Sequence, residues 1–273
     1  MAKKRRKLKS RFTASTADKF VLYQEAVQSA EAEVAFMQRV FRAAFGRPAR
    51  VMREDFCGTA LICGEWAAAH RDNLAIGVDL CADTQAWGQR HNIDTLPPEA
   101  AQRVSLVRAD VRAITKPKVD VVCALNFSYF IFKEHKTLVD YFAAVRRSLR
   151  TEGVFVLDAY GGWESQQVMD ETQRRRGFTY VWEQAHYNPV NDDVVNHITF
   201  RFPDGTTMRR AFTYDWRLWT LAAIRDALHE AGFRTVDVYW EGSLKNGRGN
   251  GVYRKSLVGD NSPGWNCYIA ATH

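Results

Sequence analysis

The sequence predicts an α/β fold, in which a Rossmann-like, mostly parallel sheet carries helices on both faces and is followed by an antiparallel β insertion. Five short runs rich in Val, Ile and Leu alternate with helix-forming segments between residues 49 and 160, as repeated β–α units do. From about residue 161 the pattern changes to strands with alternating polar and apolar residues. Turn sequences such as Pro203-Asp204-Gly205 join these strands.

The N-terminal region precedes the predicted sheet. Seven Lys and Arg residues lie in the first eleven positions, and residues 1–16 are therefore predicted to form a disordered basic tail. Residues 17–48 are predicted to form a helical lid in two pieces, because apolar residues recur at helical spacing from Ala30 to Ala44. Ser29 is the expected N-cap of the second piece, and Gly46 is expected to end it.

The ends of the five strand-like runs carry the candidate site. The first run leads into the small residues Cys57-Gly58-Thr59-Ala60, and a helix-forming segment follows at once. Small residues let a ligand approach the backbone, and a helix start offers unpaired N–H groups. The other four runs end in polar residues, which parallel strands would bring to one edge of the sheet. These residues are Asp79, Asp110, Asn126 and Asp158.

The segment from Glu54 to Ala60 resembles the first motif of the class I S-adenosylmethionine-dependent methyltransferases, which reads acid-x-Gly-x-Gly-x-Gly. Glu54 matches the acid and Gly58 the middle glycine, while Phe56 and Ala60 replace the outer two glycines. The resemblance covers roughly residues 50–273. It implies a class I methyltransferase domain at 49–273, with a sheet of seven strands of which the last is antiparallel.

The resemblance also implies the cofactor, S-adenosylmethionine, and the product, S-adenosylhomocysteine. Asp79 would meet the ribose hydroxyls, Asp110 would meet the adenine amino group, and Tyr23 would belong to a lid over the cofactor. The expected cofactor-binding residues are Tyr23, Arg53, Glu54, Phe56, Cys57, Gly58, Thr59, Asp79, Leu80, Asp110, Val111, Asn126 and Phe127. No metal is expected.

The residues after the fourth strand give the catalytic prediction. Asn126-Phe127-Ser128-Tyr129 resembles a degenerate form of the Asn-Pro-Pro-Tyr motif of amine-directed methyltransferases, with both prolines missing. The resemblance implies that Asn126 orients the attacking group and that Tyr129 flanks it. The attacking atom is left open between nitrogen and oxygen.

The insertion at about 161–215 is similar to the antiparallel cap that roofs the acceptor pocket of many small-molecule methyltransferases. Its predicted strands are Phe178–Tyr187, Val194–Phe202 and Thr206–Tyr214. Aromatic residues in and beside it, such as Trp182 and Tyr214, either wall an acceptor pocket or belong to a core.

The C-terminal region is predicted to complete the sheet. A helix capped by Thr220 and ended by Gly232 precedes two further strands, Arg234–Trp240 and Trp265–Ala271. The intervening loop, about 241–264, is read either as a gate over the substrate or as plain disorder.

Charge and composition limit the function. The chain has 38 Lys and Arg against 31 Asp and Glu, and the seven basic residues of the tail account for the whole excess. A nucleic-acid contact is therefore expected only through the tail. Five cysteines without a C-x-x-C pair are expected to be reduced core residues. With neither a membrane span nor a secretory signal in the sequence, a cytoplasmic protein is expected, and the oligomeric state is left open.

The favoured function is methyl transfer from S-adenosylmethionine to a small-molecule acceptor, by in-line attack in a pocket roofed by the insertion and the N-terminal helix. Three alternatives stay open. One is a methyltransferase that acts on RNA or protein through the basic tail. Another is a cofactor-binding protein without catalysis. The third is an NAD-binding Rossmann protein, for which a glycine-richer turn is expected.

Overall fold

A computed structural model describes residues 12–244 and 249–273 of the 273-residue chain. The basic tail up to Arg11 and the loop residues Lys245 and Arg248 lie outside the described residues. The chain divides into two compact units. The larger comprises Ser29–Ser165 and Arg217–His273, and the smaller comprises the residues up to Gln28 together with Gln166–Trp216.

The helices and strands follow one another along both units. The helices are α1 (Lys19–Val27), α2 (Ala30–Phe45), α3 (Leu61–Ala69), α4 (Ala82–Gly88), α5 (Pro98–Ala101), α6 (His135–Ser148) and α7 (Leu221–Glu230). The strands are β1 (Val51–Asp55), β2 (Leu74–Asp79), β3 (Val104–Arg108), β4 (Val119–Ala124), β5 (Leu149–Gly161), β6 (Met169–Arg175), β7 (Phe178–Asn188), β8 (Asp193–Arg201), β9 (Thr207–Arg217), β10 (Thr235–Ser243), β11 (Gly249–Lys255) and β12 (Trp265–Thr272). A π-helical turn at Gln89–Ile93 and short 3-10 turns at Val111–Ala113, Ser128–Ile131 and Trp163–Gln166 complete the set.

The larger unit is built on one sheet with the strand order β11-β10-β12-β5-β4-β1-β2-β3. Strands β1 to β5 pair in parallel, whereas β12 runs antiparallel to both β5 and β10. The predicted Rossmann-like sheet with a reversed last strand is therefore confirmed.

The predicted number of strands is wrong, because the described sheet has eight strands and not seven. The additional strand, β11, lies inside the segment 241–264 that was read as a loop, and it forms a hairpin with β10. Its sequence, Gly249-Asn250-Gly251 and onward, lacks the β-branched alternation that marks a strand. Backbone pairing at the sheet edge decides its conformation.

Helix α2 packs its apolar face on the core of the larger unit. Val34, Met37 and Phe41 are buried in one cluster with Trp66 of α3 and Met52 of β1. The stripe predicted from the spacing of these α2 residues is therefore its buried face. Strand β4 is buried along its whole length, as a central parallel strand covered on both sides must be.

The predicted helix ends are mostly confirmed. Gly46 takes the left-handed conformation at the end of α2, with φ of 70°. The Thr220 hydroxyl accepts a hydrogen bond from the Ala223 N–H (3.2 Å) at the start of α7. Ser29 occupies the N-cap position of α2, but its side chain makes no capping hydrogen bond. Its backbone, at φ −132° and ψ 59°, departs from the extended conformation that aims a capping hydroxyl at the first turn.

The smaller unit is a four-stranded antiparallel sheet in the order β6-β7-β8-β9, with α1 against its apolar side. Its core contains Leu22 of α1 together with Tyr180 and Phe200 of the sheet. The antiparallel insertion is thus confirmed, but β6 was not predicted. Most of its residues are exposed and polar, so it carries no alternating pattern.

The segment predicted to be disordered, residues 1–16, is ordered in its last part. The Ala14 N–H donates to the Thr206 hydroxyl (3.0 Å), and the Phe12 ring packs edge-on against Phe178, with ring centroids 6.4 Å apart. The disorder prediction is therefore wrong for residues 12–16, because tertiary contacts fix a segment whose composition is flexible.

Aromatic residues and cysteines lie mostly in the interior. Trp182 and Tyr214 have ring centroids 5.8 Å apart within the smaller unit. In the larger unit Trp219 is buried, and its indole N–H donates to the Phe132 carbonyl (3.1 Å). Four of the five cysteines are buried, as expected, and Cys81 is exposed. None of the helices in the described ranges is both long and apolar enough to cross a membrane.

Candidate active site at the carboxyl edge of the parallel sheet

The turn between β1 and α3 follows an unusual backbone path. Phe56, Gly58 and Ala60 all have positive φ, at 58°, 51° and 56°. Phe56 and Ala60 replace glycines of the motif that this segment resembles, yet they adopt the left-handed conformation that glycine accepts most easily. Each such non-glycine residue costs roughly 1–3 kcal/mol. The neighbouring structure must therefore impose this turn.

Hydrogen bonds from neighbouring elements impose it. The Cys57 N–H donates to the Val78 carbonyl of β2 (3.0 Å), and the Gly58 N–H donates to the Asp79 carboxylate (2.8 Å). The Asn92 side-chain amide donates to the Thr59 carbonyl (2.7 Å). Helix α4 approaches the same turn so closely that a Cβ at Gly88 would lie 2.2 Å from the Thr59 oxygen.

The other side of the turn is open. Among residues 12–244 and 249–273, a Cβ placed on Gly58 would meet only the Thr84 methyl group, at 3.8 Å. The backbone of this turn is therefore accessible at Gly58, which is what a ligand that contacts the main chain requires.

The side chain of Arg53 does not point to this opening. It is 1% exposed, its Nε lies 2.8 Å from an Asp55 carboxylate oxygen, and it also donates to the Ile114 carbonyl (2.7 Å). The Tyr141 hydroxyl donates to the same carboxylate (3.0 Å). The predicted cofactor contact of the Arg53 side chain is therefore corrected, because this guanidinium is committed to an interior ion pair.

Glu54 ties the end of β1 to the start of α3. Its Oε2 accepts hydrogen bonds from the Cys63 N–H (3.2 Å) and from the Cys63 thiol (3.0 Å). The side chain is buried, and burial raises the pKa of the Glu54 carboxyl to about 8. The acid that matches the motif thus lies directly behind the turn.

Asp79, at the end of β2, also closes the turn. One carboxylate oxygen accepts from the Gly58 N–H and the other accepts from the Cys81 N–H (2.8 Å). A carboxylate has about four acceptor positions, so two stay available for ligand hydroxyls. The next residue, Leu80, leaves 64% of its apolar side chain exposed beside this acid.

Asp110, after β3, is engaged by a residue that the sequence reasoning missed. The Arg112 guanidinium binds its carboxylate in a forked arrangement, at 2.6 to 3.1 Å, and the Arg112 N–H adds a further bond (2.9 Å). The hydrogen bonds from Arg112 hold the pKa of Asp110 below its ordinary value. Val111, between these two residues in sequence, is buried. The sequence signal for this ion pair was an arginine two positions after an acid.

The loop after β4 is fixed by Asp158 at the carboxyl-terminal part of β5. Asn126 and Phe127 both have positive φ, at 57° and 59°, and their N–H groups donate to the two Asp158 carboxylate oxygens (2.8 and 2.9 Å). The Asn126 side chain is partly exposed and makes no hydrogen bond to the described residues. Asp158 therefore holds the backbone of Asn126 and Phe127 in place.

Tyr129 lies in the interior and not at the opening. It is fully buried, and its hydroxyl donates to the main-chain carbonyl of Asp158 (2.7 Å). Burial raises the pKa of this phenol well above its ordinary range. The predicted catalytic role of the Tyr129 side chain is therefore corrected, because a side chain without accessible surface does not touch a substrate.

Tyr23 belongs to the smaller unit. Its ring lies 5.0 Å from that of Phe212, among the residues packed on the core of the antiparallel sheet. Its role as a lid residue stays a prediction.

Three buried or half-buried carboxyl groups of the larger unit, Glu33, Glu54 and Asp158, interact electrostatically, and Glu33 of α2 was missed in the sequence. Glu33 is 7% exposed, and its pKa is raised to about 7 by burial and by the charge of Asp158. Burial likewise raises the pKa of Asp158 to about 7. A charged residue three positions after Ala30 and four before Met37, within an apolar helix face, was the signal for Glu33.

These pKa values predict a pH dependence of stability. Glu33, Glu54 and Asp158 bind protons more tightly in the folded protein than in the unfolded chain, whose carboxyl pKa values lie near 4. Their stabilising effect is therefore complete at low pH and is lost as the pH rises through about 7 to 8. Between pH 5.5 and 8 we expect the free energy of unfolding of the cofactor-free protein to fall by on the order of 2–4 kcal/mol. Urea unfolding at both pH values measures this, and a flat or rising stability would contradict it.

No protein-family model and no curated protein matches the sequence. The structure is similar to an S-adenosylmethionine-dependent methyltransferase from Clostridium acetobutylicum, at 17% identity and a TM-score of 0.64, over 93% of this chain and 97% of that one. It is similar to the sugar N-methyltransferase KedS8 from Streptoalloteichus, at 19% identity and 0.61, over 94% and 93%. It is also similar to CalS10, an amino pentose methyltransferase from Micromonospora echinaspora, at 17% identity and 0.64, over 93% and 96%. The chain therefore has the fold of S-adenosylmethionine-dependent methyltransferases.

Proposed function

We propose that this protein transfers the methyl group of S-adenosylmethionine to a small-molecule acceptor and releases S-adenosylhomocysteine. The observation that carries the proposal is the accessible turn at Gly58, which stands beside Asp79 at the carboxyl edge of a sheet with the methyltransferase strand order. In open α/β sheets, ligands bind at this edge.

The residues at this edge fit the cofactor. The opening in front of Gly58 admits a ligand to the main chain of the turn. Asp79 retains acceptor positions for the ribose hydroxyls, and the exposed face of Leu80 offers apolar surface to the adenine ring. Asp110 would accept from the adenine amino group through the positions that Arg112 leaves.

When bound, S-adenosylmethionine supplies a methyl group on a positively charged sulfur, which a lone pair of the acceptor attacks in line. The protein then acts mainly by alignment, which supplies up to about 7–11 kcal/mol of barrier reduction. The Asn126 amide would accept a hydrogen bond from the acceptor and fix its orientation. Asp158 would keep Asn126 in place through the two backbone bonds. Tyr129 keeps its proton and does not act as a base.

An amine is the favoured acceptor group. Among the similar structures, KedS8 is described as a sugar N-methyltransferase and CalS10 as an amino pentose methyltransferase. Amino sugars are therefore the first acceptors to test with labelled cofactor. Methyl transfer to hydroxyl-only sugars, without transfer to amino sugars, would reverse this preference.

The alternatives differ in their support. The antiparallel strand β12 lies inside the sheet, between β5 and β10, whereas the dinucleotide-binding fold has six mostly parallel strands in the order 3-2-1-4-5-6. This difference disfavours the NAD-binding alternative. A methyltransferase that acts on RNA or protein through the basic tail stays a prediction, since the tail lies outside the described residues. The labelled transfer assay distinguishes the proposed enzyme from a non-catalytic cofactor-binding protein, which would bind S-adenosylmethionine without transferring its methyl group.

Calorimetric binding of S-adenosylmethionine and S-adenosylhomocysteine tests the proposed cofactor. We expect micromolar binding by the intact protein and about 100-fold weaker binding by Asp79→Ala, because charged hydrogen bonds to the ribose are worth about 1.5–3 kcal/mol each. Asp72→Ala is the matched control, since this acid lies on the loop before β2 with 60% of its side chain exposed. Absence of binding by the intact protein would overturn the proposed function.

A further inference from the structure

Glu33 carries a buried oxygen atom without a partner. The side chain is 7% exposed, and its Oε2 has no hydrogen-bond partner among the described residues. The carboxyl group also receives a hydrogen bond from the Ser29 backbone at the start of α2. One turn further along, the Phe36 ring stacks on Tyr268 of β12 (4.3 Å), which holds this face of α2 against the sheet.

The Glu33 carboxyl group interacts electrostatically with other acidic groups. Asp158 of β5 acts electrostatically on Glu33, and Glu33 acts in turn on Glu54 of β1. None of the ion pairs within residues 12–244 and 249–273 includes these three carboxyl groups. Buried carboxylates without a cation are costly, so this region favours either bound protons or a positively charged ligand.

The arrangement suits an organic cation better than a metal ion. The three carboxyl groups do not converge as the ligands of one metal site. An alkylammonium group is compact and has three hydrogen-bond donors, which match an unpartnered carboxylate oxygen. The amino-acid end of S-adenosylmethionine carries such a group.

We propose that Glu33, supported by Glu54, is the binding residue for the α-ammonium group of S-adenosylmethionine, so that helix α2 holds the amino-acid end of the cofactor. The inference rests on the proposed function and extends it to a residue outside the predicted site. Gly58 and Asp79 then bind the nucleoside end of S-adenosylmethionine, and Glu33 binds the amino-acid end.

Binding should release protons. Glu33, Glu54 and Asp158 hold protons near neutral pH in the cofactor-free protein, and an ammonium ion takes the place of one of them. The thiols and phenols that interact with these carboxyl groups have raised pKa values, so they stay protonated between pH 6 and 8. They are Cys57, Cys63, Cys123, Cys267, Tyr253 and Tyr268. Two further carboxyl groups act on this region, Asp79 on Glu54 and Glu241 on Tyr268. The affinity should therefore rise with pH over this range.

The test compares Glu33→Gln with Glu31→Gln, an exposed glutamate two positions earlier in the same helix. The calorimetric ligands are S-adenosylmethionine, S-adenosylhomocysteine and methylthioadenosine, which lacks the amino-acid end. We expect Glu33→Gln to weaken the binding of S-adenosylmethionine and S-adenosylhomocysteine by about 10- to 100-fold, because a charged hydrogen bond is lost. The affinity for methylthioadenosine should change by less than about twofold. Glu31→Gln should leave all three affinities unchanged.

A second measurement needs no cofactor. At pH 8 the Glu33→Gln protein should melt about 2–4 °C higher than Glu31→Gln, because a buried charge without a partner has been removed. Calorimetry of the intact protein in two buffers of different ionisation enthalpy should also show proton release on cofactor binding, and Glu33→Gln should show less of it.

The outcomes separate the two proposals. If the intact protein binds none of the three ligands, the proposed function falls and this inference falls with it. If the intact protein binds them and Glu33→Gln binds them equally well, only the inference is overturned. If Glu33→Gln weakened the binding of all three ligands equally, the inference would also be overturned. Glu33 would then stabilise the fold and would not bind the ammonium group.

Discussion

Replacing Asp120 with alanine is expected to lower the free energy of unfolding by about 3–5 kcal/mol, because each buried N–H group left without an acceptor costs about 1–3 kcal/mol. Asp120 is fully buried at the start of β4, and its carboxylate accepts from the backbone N–H groups of Arg50 (2.8 Å) and Val51 (2.9 Å). It also pairs with the guanidinium groups of Arg150 (2.8 Å) and Arg47 (3.3 Å). The variant would leave the two backbone N–H groups without an acceptor inside the protein.

The pKa of Asp120 supports this expectation. Burial alone would raise it, but the bonds from Val51 and Arg50 and the charge of Arg150 outweigh burial and hold the pKa below its ordinary value. The stabilisation is thus present above the unfolded pKa of about 3.9 and is lost as the pH falls through the folded value. Urea unfolding at pH 7 measures the loss. Asp140→Ala, at an exposed pair with Lys136, is the control and should cost less than about 0.5 kcal/mol. A loss below 1 kcal/mol for Asp120→Ala would contradict the argument.

Replacing Asp158 with alanine is expected to release the loop that positions Asn126. The loop contains two successive residues with positive φ, and the Asp158 carboxylate accepts both of their N–H groups. Each charged hydrogen bond is worth about 1.5–3 kcal/mol, which is comparable with the cost of about 1–3 kcal/mol for one left-handed residue. We therefore expect hydrogen exchange at the Asn126 and Phe127 amides to accelerate by about 100-fold or more at pH 8. Methyl transfer should fall by a similar factor, with a smaller change in cofactor affinity.

Asn126→Gly is the matched variant for this loop. Glycine accepts the same positive φ, so the two amides should stay protected while the side-chain amide is lost. Loss of transfer in both variants, with faster exchange only in Asp158→Ala, would establish Asp158 as a positioning residue and Asn126 as the group that it positions. Unchanged exchange in Asp158→Ala would show that other contacts hold the loop.

Much of the fold could be read from local pattern. The parallel β–α order was predicted because strands such as β2 and β4 are short apolar runs, and β4 is buried along its whole length. Strands β6 and β11 were missed for the opposite reason. Both are polar or glycine-containing and largely exposed, and their pairing partners alone make them strands.

The site was less predictable than the fold. Asp79 and Gly58 were found because their types and spacing suit a ligand, and the structure brings them within 2.8 Å of each other. Tyr129 and Arg53 were misassigned because adjacency in sequence says nothing about which side chain is turned inward. Glu33 was overlooked because a carboxyl group on an apolar helix face has meaning only once its neighbours are known.

The sequence by itself determined the α/β class, the reversed last strand through its family resemblance, and the edge of the sheet at which polar residues collect. These features depend on local periodicity and on the order of the elements, and both can be read directly from the amino-acid sequence. The tertiary structure alone decided that Phe56 and Ala60 accept a glycine-like turn, that Asp158 fixes the Asn126 loop and that Glu33 interacts electrostatically with Asp158 and Glu54. Each of these depends on hydrogen bonds or charges between residues distant in sequence, whose energies exist only after the elements have packed.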